Sequence, residues 1–126
     1  MERLTGVCVL VVEDEAIVAL DLAFMLEEAG ADVVGPALTL EAAEKLSNDD
    51  RITVAVLDVR LGDKTVEPVA NKLHDRGVPI IFHTGHGTAS GLRARWPDSI
   101  VLIKPVPMDV LLSTIITAGK PAFKKA

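Results

Sequence analysis

Val54-Ala55-Val56-Leu57-Asp58 is the stretch that decides how this chain folds. Four apolar residues, two of them β-branched, run without polar alternation into a carboxylate. A strand with one face in water alternates, so a continuous run predicts a strand covered on both faces, as inside a parallel sheet. Asp58 then stands at the strand's end. In open α/β sheets ligands gather at the carboxyl ends of the strands, which makes Asp58 a candidate reactive group. Taken alone, an acid there reads first as a cap for the following turn.

Working outward, the same grammar repeats. Val7 to Val12 is a second unbroken apolar run, followed by Glu13-Asp14-Glu15. Ala16 to Ala29, rich in Ala, Leu, Met and Glu, predicts a helix stopped by Gly30. Ala31 to Gly35 is a short strand, and Thr39 caps a helix through Ser47 with Glu41 and Glu44 in its first turns. After the strand from Thr53 to Leu57, Gly62 to Thr65 reads as a loop. Val66 to Arg76 reads as a helix, with Pro68 confined to its first turn and Gly77 closing it. Val78 to His83 is the fourth strand, with Pro79 tolerable only near its start. A short helix around Ala89 to Arg95, a strand from Ile100 to Ile103 and a helix from Met108 to Ala118 complete the pattern.

Five β-α units in succession predict an α/β fold, a five-stranded parallel sheet with helices on both faces. The strand order 2-1-3-4-5 is the simplest flavodoxin-like solution and puts the most apolar strands in the middle. The 126 residues are 49% hydrophobic, enough for one domain with a real core. The reading is a single domain with a core from about 7 to 118 and a flexible basic tail, 119–126. No apolar run reaches the roughly 20 residues needed to cross a bilayer, and no signal peptide opens the chain. A cytoplasmic protein with no membrane association is expected. Net charge is −5, and with Lys120, Lys124 and Lys125 set aside the body balances at −8, from 10 basic and 18 acidic side chains. An acidic body argues against nucleic-acid binding. Cys8, the single cysteine, lies in an apolar run and reads as a small core residue.

The strand ends collect the chemistry. The first gives Glu13 and Asp14, the third Asp58, the fourth Thr84 and the fifth Lys104. Each has an ordinary explanation as a cap, a turn or a strand stop. All on one edge are a poor match to coincidence. Converging acids repel one another and raise their pKa values unless a positive group intervenes. A hard cation such as Mg²⁺, held by carboxylates, waters and a phosphate oxygen, meets that need. Asp58 would then remain a carboxylate able to attack a phosphoryl group, with Thr84 and Lys104 holding its other oxygens.

This ordered set resembles the receiver domain of two-component response regulators, over about Val7 to Ala118. The resemblance implies that Asp58 accepts phosphate from a sensor histidine kinase or a histidine phosphotransfer protein. It implies that Glu13, Asp14, Asp58 and the backbone carbonyl of Arg60 arrange the Mg²⁺ site. It also implies that Thr84 moves toward the phosphoryl group, that Lys104 pairs with it, and that the Lys104–Pro105 bond is cis. Within the family, Pro79 to Gly87 is similar to the Phe-x-Thr-Gly-aromatic-Gly signature of FAT GUY receivers, with His83 and His86 replacing the usual small residue and aromatic. Those are mostly stand-alone receivers or receivers of alphaproteobacterial stress regulators. A chain that ends eight residues after its last helix accords with that reading. Signalling is then expected through contact with an unknown downstream protein or by drawing phosphate from a shared kinase.

Two departures stand out. Most receivers carry Tyr or Phe on the fifth strand, three residues before the lysine; this chain has Val101 and no tyrosine. A valine cannot swing as the ring does, so the loop from Gly85 to Gly91 is the expected place for movement. Arg60 and His86 each follow a site residue by two positions and are expected over the pocket mouth, with Arg60 also in reach of Glu13 or Asp14. Near strand 5, the family's usual contact face, stand Lys104, Met108, Leu111 and Leu112. His74 reads as a surface residue, neither it nor His83 has zinc-ligand spacing, and Trp96 is expected to pack beneath the loop.

Three other readings fit the sequence less well. A haloacid-dehalogenase-type enzyme needs a second Asp where Arg60 stands. A flavodoxin-like electron carrier needs a phosphate cradle where Glu13-Asp14-Glu15 would repel one. A pseudo-receiver that only binds a partner would not need the full set of pocket residues. No enzyme is expected beyond self-phosphorylation from a donor and self-dephosphorylation.

Overall fold

The structure is a computed structural model that describes residues 4–85 and 89–119. Its elements are β1 (Cys8–Val12), α1 (Ala16–Glu28), β2 (Asp32–Ala37), α2 (Leu40–Leu46), β3 (Val54–Leu57), β4 (Arg60–Leu61), β5 (Lys64–Thr65), α3 (Glu67–Asp75), β6 (Ile80–Thr84), α4 (Ala89–Arg95), β7 (Ile100–Ile103) and α5 (Met108–Gly119). The main sheet has the order β2-β1-β3-β6-β7, and every pairing in it is parallel. This is the expected 2-1-3-4-5 arrangement. None of the described helices is long and apolar enough to cross a membrane.

The unbroken apolar runs are explained by two cores, one on each face of the sheet. On β1, Cys8, Leu10 and Val12 point to one core and Val9 and Val11 to the other. Ala55 and Leu57 divide from Val54 and Val56 in the same way, as do Ile80 and Phe82 from Ile81. Helices α1 and α5 cover one face through Leu22, Leu26, Leu111 and Ile115. On the other face lie α2 and α3, through Ala43, Val69 and Leu73, together with Trp96 after α4. Trp96 packs on Phe82 at 5.3 Å between ring centres, and Arg95 lies 4.7 Å over the indole. Burying a Leu or Phe of this kind is worth roughly 1.5–3 kcal/mol, so the three central strands anchor the domain. The close approach of α5 depends on Gly119, where a side chain would meet Val54 and Val7 at 2.9 and 3.0 Å.

Two local readings are corrected. The second strand does not stop at Gly35 but runs to Ala37. Gly35 has a φ of +101°, and an added Cβ would lie 2.7 Å from the Ala37 nitrogen and 2.9 Å from the Val11 oxygen. The strand therefore continues through a kink that only glycine fits. The segment from Gly62 to Thr65 is not a plain loop. It belongs to a small antiparallel hairpin in which Arg60 faces Thr65 and Leu61 faces Lys64. Gly62 turns it with a φ of +67°, and Leu61 is drawn into the core.

Candidate functional site

The sheet ladder continues past the strands and fixes the backbone of the site residues. The Glu13 amide donates to the Ala37 carbonyl at 3.0 Å, Asp58 to Val12 at 2.9 Å and Lys104 to Thr84 at 2.8 Å. These bonds tie the end of β1 to β2, of β3 to β1 and of β7 to β6 before any side chain is considered. The extension of β2 to Ala37 supplies the acceptor for Glu13.

At this edge Glu13, Asp14 and Asp58 bring carboxylate oxygens within 4.8 Å of one another. Lys104 Nζ lies among the acids, 2.7 Å from Glu13 Oε1, 3.1 Å from Asp58 Oδ2 and 3.4 Å from Glu15 Oε1. The second oxygen of Glu13 accepts from the Glu15 amide at 3.1 Å. Glu13 therefore also serves the start of α1, so its ordinary role and its site role coexist. Asp14 Oδ2 accepts from the Gly62 amide at 3.0 Å, so the small hairpin closes one side of the cluster. Glu13, Asp58 and Thr84 are buried, while Asp14 is exposed.

The electrostatics follow from burial and charge. Burial raises the Glu13 carboxyl to about 7, against the opposing pull of its hydrogen bond from Lys104. Burial would lower the Lys104 ammonium, but its hydrogen bonds to Glu13 and Asp58 outweigh this and hold it above the usual lysine range. Buried His83 is pushed down by burial first and by the Lys104 charge second. The cluster is an all-oxygen donor set with excess negative charge, which fits a hard divalent cation.

The predicted residues Glu13, Asp14, Asp58 and Lys104 meet here, and Thr84 ends the adjacent strand. Arg60 does not join them. Its side chain is exposed and forms no ion pair among the described residues. Lys104 takes Glu13 and the Gly62 amide takes Asp14, which leaves the guanidinium in solvent. His86 lies outside the described residues. Leu111 and Leu112, expected near a partner face, are core residues; Ile100, Ile103 and Val110 are exposed instead. The Lys104–Pro105 bond is cis, as expected. Two contributors escaped the sequence reading: Glu15 as a partner of Lys104, and the Gly62 amide. The first was visible as a third acid in the run after β1; the second had no side-chain signal.

No family model matches the chain. It is 32% identical over 100 residues to the phyllosphere-induced regulator PhyR of Methylorubrum extorquens, covering 77% of this chain and 38% of that protein. It is 29% identical over 110 residues to the transcriptional regulatory protein PdtaR of Mycobacterium tuberculosis, covering 85% and 54%. The chain thus spans from over a third to about half the length of these relatives. The non-phosphorylated HemR receiver domain of Leptospira biflexa superposes with a TM-score of 0.78 at 25% identity, covering 93% of this chain and 99% of that one. Likeness in sequence to these regulators, to the response regulator PhyR of Brucella abortus at 28% identity and to the HemR receiver domain, together with acids and a lysine brought to the same sheet edge, places this chain in the receiver-domain family of response regulators.

Proposed function

We propose that this domain is a phosphoacceptor in a two-component phosphorelay. Asp58 Oδ attacks the phosphorus of a phosphohistidine on a sensor kinase or phosphotransfer protein. A P–O bond to Asp58 forms as the P–N bond breaks, and the histidine leaves as a neutral or protonated imidazole. The observation that carries this reading is the position of Lys104 Nζ, 3.1 Å from Asp58 and 2.7 Å from Glu13. That ammonium already touches the attacking group and is held ready to pair with added phosphoryl oxygens. Burial of Asp58 limits the water that would compete for the phosphoryl group.

Glu13, Asp14, Asp58 and the Arg60 carbonyl would hold Mg²⁺. Bound there, the ion would offset the negative charge brought together in the reaction. Thr84 would take a phosphoryl oxygen after the transfer. With Val101 in place of an aromatic ring, movement would fall in the glycine-rich loop from Gly85 to Gly91, of which residues 86–88 lie outside the described ones. Exposed Ile17, Leu20 and Phe24 on α1, beside the site, supply an apolar stripe for a phosphodonor partner. Ile103 and Val110 offer a second face for a downstream protein, and a phosphate-sink role needs only the first.

Incubation with acetyl phosphate and Mg²⁺, followed by intact-mass measurement, tests the reading. One phosphoryl group is expected on the wild type and none on Asp58→Ala or without Mg²⁺. No gain with several small donors and with a kinase would favour a pseudo-receiver.

A further inference from the structure

His83 departs from its surroundings. It is the penultimate residue of β6 and points to the α1–α5 side of the sheet, the same side as Ile81. Only 7% of its surface is exposed. It forms no hydrogen bond among the described residues, and no side-chain nitrogen there is both sealed and unpartnered. Its ring nitrogens are therefore not sealed, and the imidazole lines the space between α1 and α5. That space is a groove of about 310 Å³ between α1 and α5. Val18 and Leu22 form one wall, with Val106, Met108 and Leu111 on the other. The volume stands at the lower end of small-molecule sites.

The lining selects the chemistry. Lys104 at one end is committed to Glu13, Asp58 and Glu15, so it has little charge to offer a second anion. Asp21 lies on the exposed rim, where water serves it. The depth of the groove therefore favours an uncharged occupant. A neutral imidazole presents one N–H donor and one nitrogen acceptor, which together match a hydroxyl group. A hydroxyl group seated there would take both hydrogen bonds that the ring can offer.

We propose that the groove between α1 and α5 binds a compact, apolar molecule bearing a single hydroxyl, held at its base by His83. Such binding would not require phosphorylation at Asp58. Phenol is a suitable probe and toluene its counterpart without the hydroxyl. Both are titrated into the full chain while the His83 ring signals and the Val and Leu methyl signals are followed by NMR. Saturable shifts at His83, Val18, Val106 and Leu111 are expected with phenol, and roughly fivefold weaker binding with toluene. His83→Phe is expected to remove the preference for phenol and His83→Gln to retain most of it. Val106→Trp, which fills the groove, is expected to abolish binding of both. Signal dispersion reports whether each variant is folded, and the wild-type titration alone is decisive if one is not. Absent or non-saturating phenol shifts, shifts elsewhere, or equal binding of phenol and toluene by the wild type would overturn the proposal.

Discussion

Lys104 Nζ is bound to Glu13 Oε1 at 2.7 Å, closer than to Asp58 at 3.1 Å. The lysine is therefore shared between a proposed cation-site acid and the proposed phosphoacceptor. Buried pairs of this kind add little net stability, because desolvation offsets the attraction. The contact instead keeps two converging carboxylates from repelling each other while no cation is bound.

Removing that charge has a definite consequence. Lys104→Met is expected to bind Mg²⁺ more tightly, roughly tenfold, because one competing positive charge leaves the cluster. The same variant is expected to hold a phosphoryl group poorly. Calorimetric Mg²⁺ titration of both proteins checks the first part; weaker binding by the variant would count against the shared-lysine account.

The kink in β2 carries a stability prediction. Gly35→Ala forces a side chain into left-handed backbone at 2.7 Å from the Ala37 nitrogen. A loss of about 2 kcal/mol or more is expected. The urea midpoint should fall with an unchanged slope. Because Ala37 accepts from the Glu13 amide, Mg²⁺ affinity is expected to fall with it.

His83 gives a pH dependence. Its folded pKa is depressed by burial and by Lys104, so the unfolded chain binds the proton more readily. Its contribution to stability is complete above the unfolded value of about 6.5 and is lost as pH falls through the folded pKa. Relative to His83→Phe, the wild type is expected to lose up to about 1.4 kcal/mol per pH unit across that window. Urea unfolding of both proteins from pH 7.5 to about pH 5 measures this; parallel curves would contradict it.

Arg60 remains near the site without sharing its ion pairs. Its backbone follows Asp58 by two residues and its side chain is exposed. Arg60→Ala is expected to shorten the lifetime of the phosphorylated protein by a few-fold, by opening the pocket mouth to water. Decay of the phosphorylated mass after donor removal tests this, and an unchanged lifetime would place the side chain outside the chemistry.

The sequence made the sheet order legible because every central strand is buried on both faces and so reads as an unbroken apolar run. It made Glu13, Asp14, Asp58, Thr84 and Lys104 legible because parallel strands deliver their ends to one edge. The hairpin from Arg60 to Thr65 was not legible, since strands of two residues carry no periodicity. The second strand reads as ending at Gly35 although it runs to Ala37, because a glycine marks turns and kinked strands alike. Which carboxylate Lys104 prefers was likewise beyond the pattern, because it depends on the reach of one flexible side chain among three acids.

Asp58 itself is proposed to take the phosphoryl group. Borohydride reduces an aspartyl phosphate to homoserine, so the acceptor can be located by peptide mass mapping after treatment with donor and Mg²⁺. Homoserine is expected at position 58 and at no other acid. Homoserine at Glu13's neighbour Asp14, or phosphate found only on His83, would contradict it.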